Sequence, residues 1–263
     1  MDQVVILAGG HGSRMKAAIP KPMLEVLGVP MLGWVVQACE AADLRNICVV
    51  TGYKSQFIEH YLNNKYKTVL QAERLGTGHA VMQAVPVLEE NPDGNTLVLC
   101  GDAPFMDSET IQQAYQLHTA QGNAVTVITA KLDNPFGYGR ILRSETGIAA
   151  IVEEKDATDA QRQIQEVNSG AYWFRTADLL TLLKGLSQSN VQGEYYRYHW
   201  SGSGAGQESR GISHRQYGCS TGSKYSERLA ASERSCTLEG AGKAHGERCQ
   251  LHQYRRHHHW KRC

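Results

Sequence analysis

The 263 residues are 41% hydrophobic and 20% charged, the composition of a soluble globular chain long enough for one large domain or two small ones. No run of about 18 apolar residues is present, so no membrane insertion is expected. The start, Met1-Asp2-Gln3-Val4-Val5, lacks the basic segment and cleavage site of a signal peptide, and a cytoplasmic location is expected. The formal net charge of +1 hides a division. Residues 1–196 carry 15 basic and 21 acidic side chains, net −6, whereas residues 197–263 carry 12 and 5, net +7.

In chain order, Val4–Ala8, Asn46–Thr51, Thr96–Cys100, Ala124–Ala130 and Val167–Phe174 are short apolar or β-branched runs bounded by Gly, Asp or Asn. Such runs predict strands buried on both faces of a mostly parallel sheet. Between them, Met31–Ala42 sets Met31, Trp34, Val35, Ala38 and Cys39 on one helical face. Asp107-Ser108 can cap a helix over Glu109–Gln121, and Ala177–Leu186 carries another apolar stripe. The alternation predicts an α/β fold, a Rossmann-like sheet covered by helices, with ligands at the carboxyl ends of its strands. Cys39, Cys48 and Cys100 sit in apolar contexts without metal-ligand spacing, and read as small buried hydrophobes.

The first strand runs into Leu7-Ala8-Gly9-Gly10-His11-Gly12-Ser13-Arg14-Met15, then Ile19-Pro20-Lys21-Pro22. Glycines let backbone N–H groups approach an anion closely. Arg14 adds a fork of donors and Lys21 a point charge, which suits a triphosphate losing pyrophosphate. The segment is not a Walker loop, because Gly-Lys-Ser/Thr is missing. It is not the dinucleotide GxGxxG either, because the third glycine is missing. An ordinary strand–helix turn would share the glycines but not Arg and Pro-Lys at this spacing.

This segment resembles the signature of sugar-1-phosphate nucleotidyltransferases. Later motifs stand in order as Gln71-Ala72-Glu73-Arg74-Leu75-Gly76-Thr77-Gly78-His79-Ala80, Cys100-Gly101-Asp102-Ala103-Pro104 and Asn134-Pro135-Phe136-Gly137-Tyr138-Gly139-Arg140-Ile141. Ile151-Val152-Glu153-Glu154-Lys155-Asp156-Ala157, Val167-Asn168-Ser169-Gly170 and Gln192-Gly193-Glu194-Tyr195-Tyr196 follow. Together they are similar to the uridyltransferase domain of the bacterial bifunctional N-acetylglucosamine-1-phosphate uridyltransferase/glucosamine-1-phosphate acetyltransferase family, collinearly from Val4 to Tyr196. The resemblance implies a Rossmann-like nucleotidyltransferase domain over residues 1–196. It also implies uridylyl transfer from UTP to N-acetylglucosamine 1-phosphate, giving pyrophosphate and UDP-N-acetylglucosamine for peptidoglycan and lipopolysaccharide synthesis. Arg14 and Lys21 are then catalytic. Leu7, Ala8, Gly9, Gly10, Gln71, Gly76, Thr77, Cys100, Gly101 and Asp102 bind nucleotide, and Gly139, Glu153 and Asn168 bind the sugar.

Several residues also have a reading of their own. Asp102 follows an apolar strand, where a hard carboxylate oxygen suits Mg²⁺ held together with substrate phosphates; an Asp capping the next turn is the plainer reading. Gln71 offers both a donor and an acceptor, matching a uracil edge, but a lone Gln is usually solvated and the assignment rests chiefly on the resemblance. Glu-Glu-Lys-Asp is by default a solvated face; family position singles out Glu153 over Glu154. His11 and His79 read as polar lining residues rather than bases, because the attacking sugar phosphate is already an anion.

After Tyr196 the resemblance stops. Residues 197–263 hold nine Gly, nine Ser and seven of the eleven His, and only Ile212, Leu229, Leu238 and Leu251 as branched aliphatics. Such a segment is expected to be disordered, and its basic charge implies no specific nucleic-acid partner. It reads as a frameshift product. One encoding of Arg197–Gln207, started one base later, gives Asp-Thr-Ile-Gly-Leu-Ala-Leu-Ala-Gln-Gly, an amphipathic helix start. Reading on through Arg210–Arg215 gives a plausible strand. The family's second Mg²⁺ ligand, an Asn downstream of Gly-Glu-Tyr-Tyr, has no counterpart here. The hexapeptide-repeat β-helix is also absent, so neither acetyl transfer nor the family-type trimer is expected. Two other readings stay open: a sister enzyme using another nucleotide or sugar, and a catalytically silent nucleotide-binding fragment.

Overall fold

Val4, Val5 and Ile6 are all fully buried, as a strand covered on both faces requires. The computed structural model describes residues 1–10, 19–145, 147–185 and 210–214, which lie within one compact unit, Met1–Ser223. The elements are β1 (Gln3–Leu7), a 3-10 turn (Lys21–Met23), β2 (Glu25–Val26), β3 (Val29–Pro30), α1 (Met31–Ala41), β4 (Ile47–Thr51), α2 (Ser55–Leu62) and β5 (Lys67–Leu70). They continue as α3 (Thr77–Met82), α4 (Val85–Leu88), β6 (Asn95–Cys100), α5 (Ser108–Ala120), β7 (Val125–Lys131), β8 (Arg140–Ser144) and β9 (Gly147–Val152). Last come α6 (Asp159–Arg162), β10 (Glu166–Arg175), α7 (Thr176–Gly185) and β11 (Arg210–His214).

The sheet runs β11-β7-β10-β6-β1-β4-β5, with β8 paired to β10 and β9 paired to β8. Strands β6, β1, β4 and β5 are mutually parallel, as the alternating pattern predicts. Strand β10 is antiparallel to β6 and β7. Alternate residues of β1 serve two layers. Val4, Ile6 and Ala8 pack with Leu32, Val35 and Cys39 of α1 and Ile111 and Ala114 of α5. Val5 packs with Ala80, Val81, Leu88, Leu179 and Leu183 of α3, α4 and α7. Each buried Leu, Ile or Val contributes about 1.5–3 kcal/mol against an exposed one. Asp107 caps α5 by accepting from the Thr110 N–H at 2.7 Å, as its sequence position predicts.

Register brings one set of loops together. Leu7 stands opposite Val50 of β4 and Cys100 of β6, so the residues after these three strands share the carboxyl edge. Two pieces lie outside the predicted strands. Strand β5 is a short edge strand with two exposed residues at its start, and the β8–β9 hairpin carries Arg140 and Arg143 where an apolar run would be sought. A further piece falls inside the tail expected to be disordered: Arg210–His214 pairs parallel with β7 from Thr126 to Ala130. Backbone hydrogen bonding along an exposed sheet edge asks little of the side chains that supply it. Arg14, His11 and the Gly193–Tyr196 motif lie outside the described residues.

Candidate active site

A cleft of about 440 Å³ opens at the shared carboxyl edge. It is lined by Leu7, Gly9 and Gly10 after β1, Lys21 and Pro22, Gln71 and Arg74 after β5, Gly76, Thr77 and Ala80, and Cys100 and Asp102 after β6. Eight of the ten predicted nucleotide residues therefore line one cavity, and the other two, Ala8 and Gly101, are buried. The Gly101 N–H donates to the Leu7 carbonyl at 2.9 Å, which ties the two loops.

At one end, the Lys21 ammonium lies 2.5 Å from Asp102 Oδ2, both side chains largely buried. Lys21 is held there by the short turn that follows Pro20 and by buried Pro22. Asp102 is the one carboxylate among the described residues lining the cleft, and it already accepts a cation. Mg²⁺ commonly takes one or two carboxylates and completes its shell with phosphate oxygens and water. The donor set fits that use.

At the other end, Gln71 is 6% exposed. Its Nε2 donates to the Gly76 carbonyl at 3.1 Å and lies 3.2 Å from His79 Nδ1. The amide is thus anchored through its nitrogen, and Oε1 remains as the acceptor. A Cβ on Gly9 would stand 3.0 Å from that oxygen, so the first loop glycine leaves room beside it. Gly52, at the end of β4, was not singled out in the sequence. A Cβ there would meet the Gly9 carbonyl oxygen at 2.6 Å; only glycine lets the two loops cross. A Gly after a β-branched strand was the available signal.

The predicted sugar residues form a second group. The Asn168 N–H donates to the Gly139 carbonyl at 2.9 Å, and a Cβ on Gly139 would stand 2.6 Å from Glu153 Oε1. Asn168 Oδ1 accepts from Tyr172 Oη at 2.8 Å and from the Gly170 N–H at 3.1 Å. With the oxygen held, the amide's donor end carries its capacity for a ligand. A bulge in β10 follows Asn168, and the Gly170 carbonyl accepts from Cys100 Sγ at 3.7 Å, which links this group to the cleft lining.

Glu154, the neighbour of Glu153, is occupied otherwise. It accepts from the Gly137 N–H at 2.8 Å and pairs with Arg140 at 2.8 Å; the first and then the second of these hold its carboxyl below the usual range. Burial pushes the Cys39 thiol up to about 12 and the Cys48 thiol up to about 11, which leaves both as neutral apolar fillers. Among the described residues no group of three His, Cys, Asp or Glu gathers to hold a metal, and no helix is long and apolar enough to cross a membrane.

Residues 3–195 match the Nucleotidyl transferase family. The bifunctional protein GlmU of Streptococcus gordonii is 45% identical over 196 residues, 74% of this chain and 42% of that protein. GlmU of Pelotomaculum thermopropionicum is 45% identical over 193 residues, 73% and 42%. The chain thus spans about two fifths of the length of these curated relatives. A crystal structure from Bacillus anthracis, provisionally named a glucose-1-phosphate thymidylyltransferase and bound to sucrose, superposes with a TM-score of 0.73. It is 18% identical, covering 92% of this chain and 98% of that one, and so shares the fold. A glycine-lined cleft at the carboxyl edge of this sheet, a matching family over residues 3–195 and GlmU relatives place the chain in the nucleotidyl transferase family.

Proposed function

We propose that the chain transfers a uridylyl group from UTP to N-acetylglucosamine 1-phosphate, releasing pyrophosphate. One observation carries the choice of nucleotide: Gln71 Nε2 is held by the Gly76 carbonyl beside His79, which leaves Oε1 as an acceptor on the Gly9 side of the cleft. An acceptor there takes the N3–H of uracil, which cytosine lacks. Lys21 and Asp102 at the other end fit the triphosphate. The sugar phosphate oxygen attacks the α-phosphorus in line, the α–β bridging bond breaks, and pyrophosphate leaves with its electron pair. Lys21, with Arg14 as its partner in this role, neutralises charge that grows on the phosphoryl oxygens and the leaving group. Asp102 would hold Mg²⁺, which supplies further charge neutralisation on the phosphates when bound. Thr77 and Gly76 flank the base, and Gly139, Glu153 and Asn168 take the amino-sugar hydroxyls and amide.

The similarity to a structure named for thymidylyl transfer favours a second reading, because thymine also carries an N3–H. Pyrophosphate release is measured with UTP, dTTP, CTP and ATP, each with N-acetylglucosamine 1-phosphate. UTP is expected to turn over fastest and CTP not at all. Preference for dTTP would establish the second reading, and release with none of the four would mark a silent nucleotide-binding fragment.

A further inference from the structure

We propose that Arg140, acting through Glu154, is the positioning residue of the sugar site, an inference that rests on the sugar reading above. Arg140 is 1% exposed, among the largest fully buried side chains. A buried guanidinium is costly unless its donors are satisfied. Here they are: it pairs with Glu154 Oε2 at 2.8 Å, donates to the Tyr138 carbonyl, and reaches the Arg162 carbonyl at the end of α6 at 3.3 Å. Glu154 in turn accepts from the Gly137 N–H and lies 3.7 Å from Arg162 Nε. One charge pair ties the loop Gly137–Gly139, the exit of β9 and the end of α6.

Register shows what this tie controls. Arg140 stands opposite Val152 of β9 and Val167 of β10. Strand β8 is antiparallel to both, so one step back along β8 and one step forward along each partner form the next row: Glu153, Gly139 and Asn168. The three predicted sugar residues are the immediate neighbours of Arg140 and of its two cross-strand partners. Side chains alternate along strands. The row therefore offers a carboxylate and an amide flanking a glycine, on the face opposite the guanidinium. Over Gly139 lies the Glu153 carboxylate, whose Oε1 stands 2.6 Å from where a Cβ would be, so the absence of a side chain there sets how close that carboxylate comes to the row. Arg140 touches no substrate; it fixes the spacing of the groups that do.

The test compares Glu154→Ala, Glu154→Gln and Arg140→Lys with the unaltered chain, reading KM for each substrate, kcat and hydrogen exchange at the Asn168 amide. Glu154→Ala and Arg140→Lys are expected to raise KM for the sugar phosphate about tenfold, with KM for UTP within about twofold and Asn168 exchange about tenfold faster. Glu154→Gln, which keeps an oxygen for Gly137 and Arg140, recovers most of the loss. Equal rises in both KM values, or Asn168 protection unchanged in all three variants, would overturn the proposal. If the unaltered chain turns over UTP with another sugar phosphate only, the sugar reading fails, and Asn168 exchange still decides the positioning role.

Discussion

Lys21 and Asp102 hold each other at 2.5 Å, whereas in the proposed reaction Lys21 faces phosphate and Asp102 would hold the cation. The ammonium engages a carboxylate oxygen on which the proposed Mg²⁺ would also draw. Lys21→Met is therefore expected to lower turnover about 10²–10³-fold. The nucleotide-free variant should also bind Mn²⁺, a paramagnetic probe, more tightly than the unaltered chain. Unchanged Mn²⁺ affinity would contradict Asp102 as the cation's seat. At Gly139 the obstructing atom is the end of the flexible Glu153 side chain, so Gly139→Ala should displace Glu153 without unfolding the domain. KM for the sugar phosphate is expected to rise more than tenfold with the melting temperature unchanged; loss of the fold instead would show that the glycine serves packing. Asp102 was legible because it sits at the end of an apolar run, whereas Gly139 and Glu153 rested on the resemblance. Gly52 was not legible, since its constraint is a chain crossing with Gly9 that no local pattern records. The assignment of Glu154 also needed three dimensions: sequence set it aside, but only Arg140 and Gly137 explain what it does.

At the scale of elements, α5 carries a group whose titration opposes folding. His118 is 2% exposed, stacks on Trp173 with ring centroids 6.4 Å apart, and bonds Thr126 Oγ1 through Nδ1 at 3.0 Å. Its Nε2 finds no hydrogen-bond partner among the described residues. Burial, reinforced by Arg175 and partly offset by Asp2 and Asp178, pushes its pKa down to about 4. The unfolded chain binds this proton near pH 6.5 and the folded chain only near pH 4. Stability is thus fully present above pH 6.5 and falls as pH drops through that window. Urea denaturation at pH 7 and pH 5 is expected to differ by about 2 kcal/mol, a difference that His118→Gln should flatten. An unaltered pH slope in that variant would remove His118 as the cause. Long elements with one apolar stripe, such as α1 and α5, were readable to within about a residue. The β8–β9 hairpin was not, because Arg140 and Arg143 disguise a strand whose pairing is set by partners far along the chain.

The whole molecule joins a domain that matches its relatives through residue 195 to a basic segment of different composition. We propose that this segment is a frameshift product. The coding DNA decides it: a +1 frame that does not yield Asp-Thr-Ile-Gly after Tyr196 would contradict the idea. Strand β11, at the β7 edge, lies where the shifted frame also reads as a strand. The composition of the tail announced little apolar burial, and it could not announce a strand paired in parallel with β7. Whether the domain works in this company rests on the cleft at the ends of β1, β5 and β6. The most direct measurement is pyrophosphate release by the full chain with UTP, N-acetylglucosamine 1-phosphate and Mg²⁺, beside the Asp102→Ala variant. Release that the substitution abolishes is the predicted result; no release, or release indifferent to Asp102, would contradict the account.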